Sequence, residues 1–313
     1  MNVRSVAARL PRKKVLMCWA VLAPLVLSAS TSQAALLHRY DFATDASDSV
    51  GTAHGTLRNI ATVSGGQLQF NNPNFSGSAF AGGYLALPPS ILPSSVSATI
   101  LQWGTYNGSG FFTEAYTFTD HNNDLGSPEV ISNPPGAAVG QYLMHTVSNP
   151  AGGPGAPAQG GSSIAQATAG YSVGSESRAF ETTPALGAGG GGYLDDGGTY
   201  FSATVIDGTA GTLSYYVYRA SDGAGGLQQT IASVPLSSYS FTNAYLGRSP
   251  FPGDNWLSGS VDEFRIYTDA RSTEQILRDF RAGPNALVPE PSSILLFGVA
   301  VSALAGARRR WTM

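Results

Sequence analysis

Between residues 36 and 267 the chain contains many short apolar runs, broken by Gly, Pro, Asn or Asp. Aromatic and β-branched residues dominate the runs. Several runs alternate apolar with polar positions, as Val96, Ala98 and Ile100 do with the residues between them. Such alternation points successive side chains to opposite faces of a strand. The pattern predicts an all-β fold, an antiparallel two-sheet sandwich of the jelly-roll type. Predicted strands cover 36–42, 67–70, 84–87, 96–103, 111–119, 142–147, 200–206, 212–219, 239–247 and 257–267.

The last predicted strand, 257–267, carries both apolar and charged side chains. Strict alternation assigns two sets of residues to its two faces. Val261, Glu263, Arg265 and Tyr267 form one set, and Asp262, Phe264 and Ile266 form the other.

One short helix is predicted directly after this strand. Ser272 can cap its start, and Gln275 three residues later completes a capping box. Gly283 followed by Pro284 ends it. We expect its apolar face to pack on an edge of the sandwich. That face consists of Ile276, Leu277 and Phe280.

Residues 149–198 have a different composition, with 14 glycines and only five charged residues among 50 positions. Such a segment buries too little apolar surface to fix its own backbone. We expect long mobile loops inserted between strands, with short strand pieces at 171–173 and 178–180.

Composition and charge narrow the class of protein. Hydrophobic residues make up 42% of the chain and aromatic residues 10%, enough to bury a core. Residues 35–287 hold nine arginines, no lysine and 19 acidic residues, a net charge of −10. An acidic body argues against nucleic acid or anionic lipid as a partner. The single cysteine is Cys18, near the N-terminus.

The N-terminus has the layout of a secretory signal peptide. Five cationic residues precede an apolar run, 15–27, and a small polar stretch ends at Ala34. We expect cleavage after Ala34 by signal peptidase, following transfer by the export machinery. The apolar run, about 13 residues, is short for a membrane span. A permanent N-terminal anchor is the alternative.

The C-terminus combines Pro289-Glu290-Pro291, an apolar run at 292–307 and three terminal arginines. We expect 292–307 to form a transmembrane helix, with the arginines cytoplasmic and the body outside. The combination resembles the PEP-CTERM sorting tail of Gram-negative bacteria. That resemblance implies an exosortase-type protease as a partner, which removes the helix. A plain membrane anchor is the alternative.

Two segments of the body resemble the LamG-like jelly roll of the concanavalin A-like lectin/glucanase fold. The first comprises 37–42, 48–51 and 54–56; the second comprises 245–248, Asp254 and 259–267, with 272–280 after it. The resemblance implies two packed antiparallel sheets, with the first and last strands close in space. The predicted organisation is a signal peptide at 1–34, the jelly roll at 35–283 with its Gly-rich insertion, and the sorting tail at 284–313.

Related folds often bind one structural Ca²⁺ through an acid near the first strand and an acid near the last. By this resemblance Asp41 and Asp262 are the candidate ligands. In the alternative, Asp262 or Glu263 forms an ion pair with an arginine, namely Arg39, Arg248 or Arg265.

Carbohydrate binding requires exposed aromatic rings with polar groups nearby. Trp103, Tyr106 and Trp256 are the candidates, together with Tyr216 and Tyr218. The alternative for each of these side chains is packing in the core.

We therefore expect a non-catalytic carbohydrate-binding or adhesive protein. It would begin as a tail-anchored intermediate in the inner membrane and end at the cell surface or outside the cell. A polysaccharide-degrading enzyme of the same fold is one alternative, and a purely architectural surface protein is another. Glycosidases generally need two carboxyl groups roughly 5 to 9 Å apart. Glu114 is the only acid on its predicted strand, and the adjacent Asp262 and Glu263 are expected on opposite faces.

Overall fold

In the computed structural model, the described part of the chain forms fifteen strands, a 3-10 turn and one α-helix. All of it belongs to one unit of the chain, 32–313. The structure describes residues 36–72, 82–89, 91–107, 113–119, 141–149, 159–166, 176–180, 194, 196–232, 236–249 and 254–286.

The described strands come first along the chain, and the α-helix follows the last of them. In chain order, the elements are β1 (Leu36–Tyr40), β2 (Thr56–Arg58), β3 (Thr62–Ser64), β4 (Gln67–Asn71), β5 (Tyr84–Leu87), β6 (Ala98–Asn107), β7 (Thr113–Thr119), β8 (Gln141–Asn149), β9 (Gln159–Gln166), β10 (Glu176–Phe180), β11 (Asp196–Asp207), β12 (Thr212–Arg219), β13 (Gly225–Ala232), the 3-10 turn (Leu236–Ser238), β14 (Asn243–Leu246), β15 (Ser258–Tyr267) and α1 (Thr273–Ala282).

The strands form two antiparallel sheets, which confirms the predicted all-β class. Sheet A has the order β13-β12-β11-β6-β15-β4-β3, and β1 pairs with the second half of β15. Sheet B has the order β10-β9-β8-β7-β14-β5-β2. Because β1 pairs with β15, the first and last described strands are neighbours, as the family resemblance implies.

The main core lies between the two sheets and consists largely of aromatic and branched side chains. Tyr116 contacts both Phe118 and Phe264, with ring centroids 5.7 Å apart in each pair. Burial of such large rings is the main favourable term in folding, since each removes on the order of 150–250 Å² from water. The core therefore joins strands of both sheets.

The last strand departs from strict alternation. Its register against β6 shifts between Val261 and Glu263, which makes Asp262 the extra residue of a bulge. Val261 therefore faces the inter-sheet core together with Phe264 and Ile266. The predicted grouping of Val261 with Glu263 is wrong, because a bulge reverses the faces that follow it.

The helix α1 begins and ends as predicted. Ser272 accepts a hydrogen bond from the Gln275 backbone N–H, and the Gln275 side chain accepts one from the Ser272 backbone N–H. The helix does not pack on an edge of the sandwich, however. Ile276 and Phe280 cover the outer face of sheet A, where Phe280 stacks on Tyr218 at 4.6 Å. A second apolar layer thus lies outside the sandwich.

Part of the Gly-rich segment is regular, contrary to the prediction of loops. β9 pairs along β8, and β10 pairs along β9, so that these strands form one edge of sheet B. An edge strand is held by backbone hydrogen bonds and needs no apolar alternation. The predicted piece 178–180 lies within β10, whereas 171–173 lies outside the described residues.

Candidate functional site

The predicted processing positions lie outside the described residues. This holds for Ala34 and for Pro289, Glu290 and Pro291, and for the predicted transmembrane segment 292–307. Among the helices that the structure does describe, none is both long and apolar enough to cross a membrane.

The two predicted calcium ligands have separate partners. Asp41 lies 3.1 Å from the guanidinium of Arg39. Asp262 accepts a 2.6 Å hydrogen bond from the Gln67 side chain, and burial raises its pKa. In the described part of the chain, no group of three or more His, Cys, Asp or Glu side chains is arranged to hold a metal ion.

Ion pairing with arginine, the alternative to calcium, is what the structure shows for Glu263. This buried carboxylate accepts two hydrogen bonds from Arg265, at 2.9 and 2.8 Å, and another from Arg39. It also accepts the backbone N–H of Asn285. The network therefore connects β1 and β15 with the segment after α1, and its role is structural.

The three predicted aromatic platforms are buried, so they present no ring face to a sugar. Trp103 is 2% exposed, Tyr106 0% and Trp256 5%. Trp103 packs beneath α1, and Tyr106 lies in the inter-sheet core. Trp256 covers Gly82 on the outer face of sheet B, where a Cβ on the glycine would meet the indole at 2.3 Å. As platforms these predictions are wrong, because Tyr106 lies between the sheets and the rings of Trp103 and Trp256 are packed under other side chains on the outer faces.

Tyr216 and Tyr218 also pack in the layer beneath α1, each 5% exposed. The hydroxyl of Tyr216 lies 3.0 Å from that of Thr273, at the start of the helix. Both tyrosines are therefore packed side chains, which was the alternative to a role in carbohydrate binding.

One end of the sandwich contains a cavity of about 750 Å³. It lies where β1, the segment before β6 and the segment between the 3-10 turn and β14 meet. Tyr239 and Phe241 form one wall, with parallel rings 5.2 Å apart, and both are partly exposed. Burial raises the pKa of Tyr239 to about 12, so its phenol stays a hydrogen-bond donor at neutral pH. The polar lining consists of His38, Ser94, Ser95, Ser237, Ser240, Asn243 and Thr268.

The position of His38 in this wall is fixed by a tight turn around Asp48. His38 Nδ1 donates to the Asp48 carboxylate at 2.6 Å. Burial alone would raise the pKa of Asp48, but the backbone N–H groups of Gly51, Arg39 and Val50 and the His38 side chain lower it to about 2. The Asp48 carboxylate is therefore ionised at neutral pH and orients the imidazole toward the cavity wall. The segment 48–51 thus has a structural role in the site.

A second polar cluster lies on the outer side of sheet B. Glu114 on β7 is fully buried, and its carboxylate oxygens make no hydrogen bond of normal geometry, although the Ser249 hydroxyl is close enough to lower its pKa. Burial and the nearby Asp254 raise its pKa well above the usual range. Burial raises the pKa of Asp254 to about 7, and a hydrogen bond from the Ser249 hydroxyl, 2.5 Å away, opposes the rise.

The sequence analysis predicted neither the cavity at the end of the sandwich nor the cluster around Glu114. Tyr239 and Phe241 were assigned to a strand, whereas only Asn243–Leu246 of that run is one. The sequence feature that could have indicated an exposed aromatic wall was the alternation of these two residues with serines. For the second cluster, the signal was a lone acid, Glu114, within a run that is otherwise apolar or hydroxylic. Its partner Asp254 is far away in the sequence, so the pairing appears only in the folded chain.

The comparison with known families identifies the C-terminal segment. Residues 287–310 match the model of the PEP-CTERM protein-sorting motif, which confirms the predicted sorting tail. The motif implies an exported protein with a membrane-anchored sorting intermediate. No curated protein matches the chain.

Several solved structures are similar to this chain. Domain 4 of AbnA, an extracellular GH43 arabinanase from Geobacillus stearothermophilus solved with arabinotriose, has 18% identity and a TM-score of 0.47, covering 79% of this chain and 98% of that one. The CBM40 of Ruminococcus gnavus IT-sialidase has 11% identity and a TM-score of 0.40, covering 59% and 83%. The binding domain of botulinum neurotoxin serotype G has 10% identity and a TM-score of 0.49. There the match covers 81% of this chain and 53% of the other, about half its length.

Proposed function

We propose that this chain is a surface-associated, non-catalytic protein that binds a carbohydrate in the cavity at the end of the sandwich. Export is implied by the sorting motif at 287–310. The observation that carries the binding role is the cavity wall formed by the stacked rings of Tyr239 and Phe241.

The lining of the cavity suits a sugar in two ways. A pyranose or furanose ring presents C–H groups that pack on an aromatic face, and the partly exposed rings of Tyr239 and Phe241 supply such a face. Sugar hydroxyls need donors and acceptors placed around that face. Ser94, Ser237 and Asn243 provide them at the cavity wall. An acidic body is also compatible with a neutral polymer as the ligand.

Catalysis is the competing function, because a pair of carboxyl groups with raised pKa values is typical of glycosidases. Glu114 and Asp254 form such a pair, but the Glu114 side chain is buried and neither residue lines the cavity. Because these two carboxyl groups lie away from the cavity, they are not placed to act on a sugar bound there, and this supports binding without cleavage.

Binding and cleavage are separated by one experiment on the purified full-length protein in mild detergent. A glycan array and pull-down with insoluble polysaccharides should show retention on at least one glycan, with no oligosaccharide released. We expect the double variant Tyr239→Ala/Phe241→Ala to bind at least tenfold more weakly. Leu227→Ala, at an exposed position on β13, is the matched control and should bind normally.

The other outcomes point to the alternative functions. Release of oligosaccharide would replace the binding role by an enzymatic one. Absence of retention on every glycan would favour a purely architectural role. Unchanged binding by the double variant would place the ligand elsewhere on the molecule.

A further inference from the structure

The chain segments around Glu114 bring two carboxyl groups and a hydroxyl group together. The register of β7 against β8 shifts on both sides of Glu114, and such bulges redirect side chains. A parallel bridge between Thr113 and Asn255 places the neighbouring Asp254 beside the start of β7. The backbone N–H of Gly247 donates to the carbonyl of Ala115, which brings the segment containing Ser249 to the same place.

The two carboxyl groups of this cluster lack a cationic partner among the residues that the structure describes. Glu114 is 0% exposed, and its carboxylate oxygens make no hydrogen bond of normal geometry. The Ser249 hydroxyl and the backbone N–H of Glu114 lower its pKa, against a larger rise caused by burial. Neither Glu114 nor Asp254 takes part in an ion pair within the described part of the chain. A buried ionised carboxylate without a partner costs several kcal/mol, so such a group must be neutralised by a proton or by a cation.

We propose that Glu114, Asp254 and Ser249 bind one calcium ion on the outer side of sheet B. The site is distinct from the cavity, since none of the three residues lines it. It is also distinct from the Asp41 and Asp262 positions, where Arg39 pairs with Asp41 and Gln67 donates to one carboxylate oxygen of Asp262.

The chemistry of the three side chains selects the metal. Two carboxylates carry the charge that one divalent cation neutralises. Carboxylate and hydroxyl oxygens are hard ligands that suit Ca²⁺, at about 2.3–2.6 Å, better than zinc, which prefers His and Cys. Ca²⁺ also accepts irregular sets of roughly six to eight oxygens, completed by backbone carbonyls and water, whereas Mg²⁺ requires near-ideal octahedral geometry.

Calcium binding is tested on the purified full-length protein in mild detergent after removal of metals with EDTA. Isothermal titration with CaCl₂ should give one site per chain, and Ca²⁺ should raise the melting temperature by several degrees, with a weaker response to MgCl₂. Glu114→Gln and Asp254→Asn should each weaken Ca²⁺ binding at least tenfold. Asp207→Asn is the control, an acid at the end of β11 in sheet A that belongs to neither candidate calcium site, and it should bind Ca²⁺ as the wild type does.

The metal-free proteins provide the second readout. Glu114→Gln keeps the shape of the side chain and removes the buried charge, so without calcium it should melt at or above the temperature of the wild type. If either Glu114→Gln or Asp254→Asn does not fold, the Ca²⁺ affinity of the other variant still tests the proposal. Absence of Ca²⁺ binding to the wild type at millimolar concentration would mean that protons alone neutralise the pair, and would overturn the proposal. Equal affinity in both variants and the wild type would also overturn it.

Discussion

At the residue scale, buried polar side chains are accommodated in two different ways. Glu263 keeps its charge because Arg265 and Arg39 surround it. His145 lies in the inter-sheet core with Tyr215 and Ser202 near its two ring nitrogens, at 3.1 and 3.4 Å. Burial lowers the pKa of His145 to about 3, so this side chain is neutral in the folded protein.

Acid is therefore expected to destabilise the fold through His145. The unfolded chain binds a proton to this histidine near pH 6.5, whereas the folded protein does so only near pH 3. The stabilisation is complete above pH 6.5 and is lost as the pH falls toward 3. At pH 5 the loss is about 2 kcal/mol. Denaturant unfolding at pH 7 and at pH 5 measures this loss as a difference in the free energy of unfolding.

The variant His145→Gln serves as the comparison, because glutamine does not titrate. Its free energy of unfolding should change less between pH 7 and pH 5 than that of the wild type, by about the same 2 kcal/mol. Glu114 and Asp254, with raised pKa values, act in the opposite direction over this range, but they are present in both proteins and cancel in the difference. Identical pH dependence in the two proteins would contradict the buried, neutral state of His145.

At the scale of single elements, the capping box makes a measurable contribution to α1. Ser272→Ala removes the acceptor for the Gln275 backbone N–H and is expected to cost about 1 kcal/mol. Thermal unfolding should show a lower melting temperature. Ser221→Ala, at an exposed position in the turn after β12, is the matched control and should change little. Equal melting temperatures for Ser272→Ala and the wild type would show that the cap is dispensable.

Elements were predictable where a local pattern determines them. The capping box and the Gly283 stop define α1, and short apolar or aromatic runs bounded by turn residues predict strands such as Tyr84–Leu87 and Thr212–Arg219 with their correct bounds. The bulge at Asp262 was not predictable, because it depends on pairing with β6. β9 was also missed, since this strand between β8 and β10 is held by backbone hydrogen bonds and its sequence shows no apolar alternation.

Sites were harder to predict than elements for the same physical reason. The aromatic side chains at Trp103 and Trp256 are indistinguishable in sequence from exposed platforms, and only packing beneath α1 or over sheet B buries them. Tyr239 and Phe241 become a cavity wall only where both sheets end.

At the scale of the whole molecule, processing at both ends is the expected consequence of the sequence. In a host with an exosortase, the intact mass of the mature protein should lack the first 34 residues and the residues beyond Pro291. Expression in a host without that protease is the control and should leave the tail in place. A mature protein that retains its terminal arginines in the first host would contradict sorting through the motif at 287–310.

The location of the bound sugar is the most direct test of the proposed binding role. A crystal structure of the protein with the retained oligosaccharide should show a sugar ring packed against Tyr239 and Phe241, with its hydroxyls near Ser237 and Asn243. A sugar bound elsewhere, with the cavity at the end of the sandwich filled only by solvent, would contradict it.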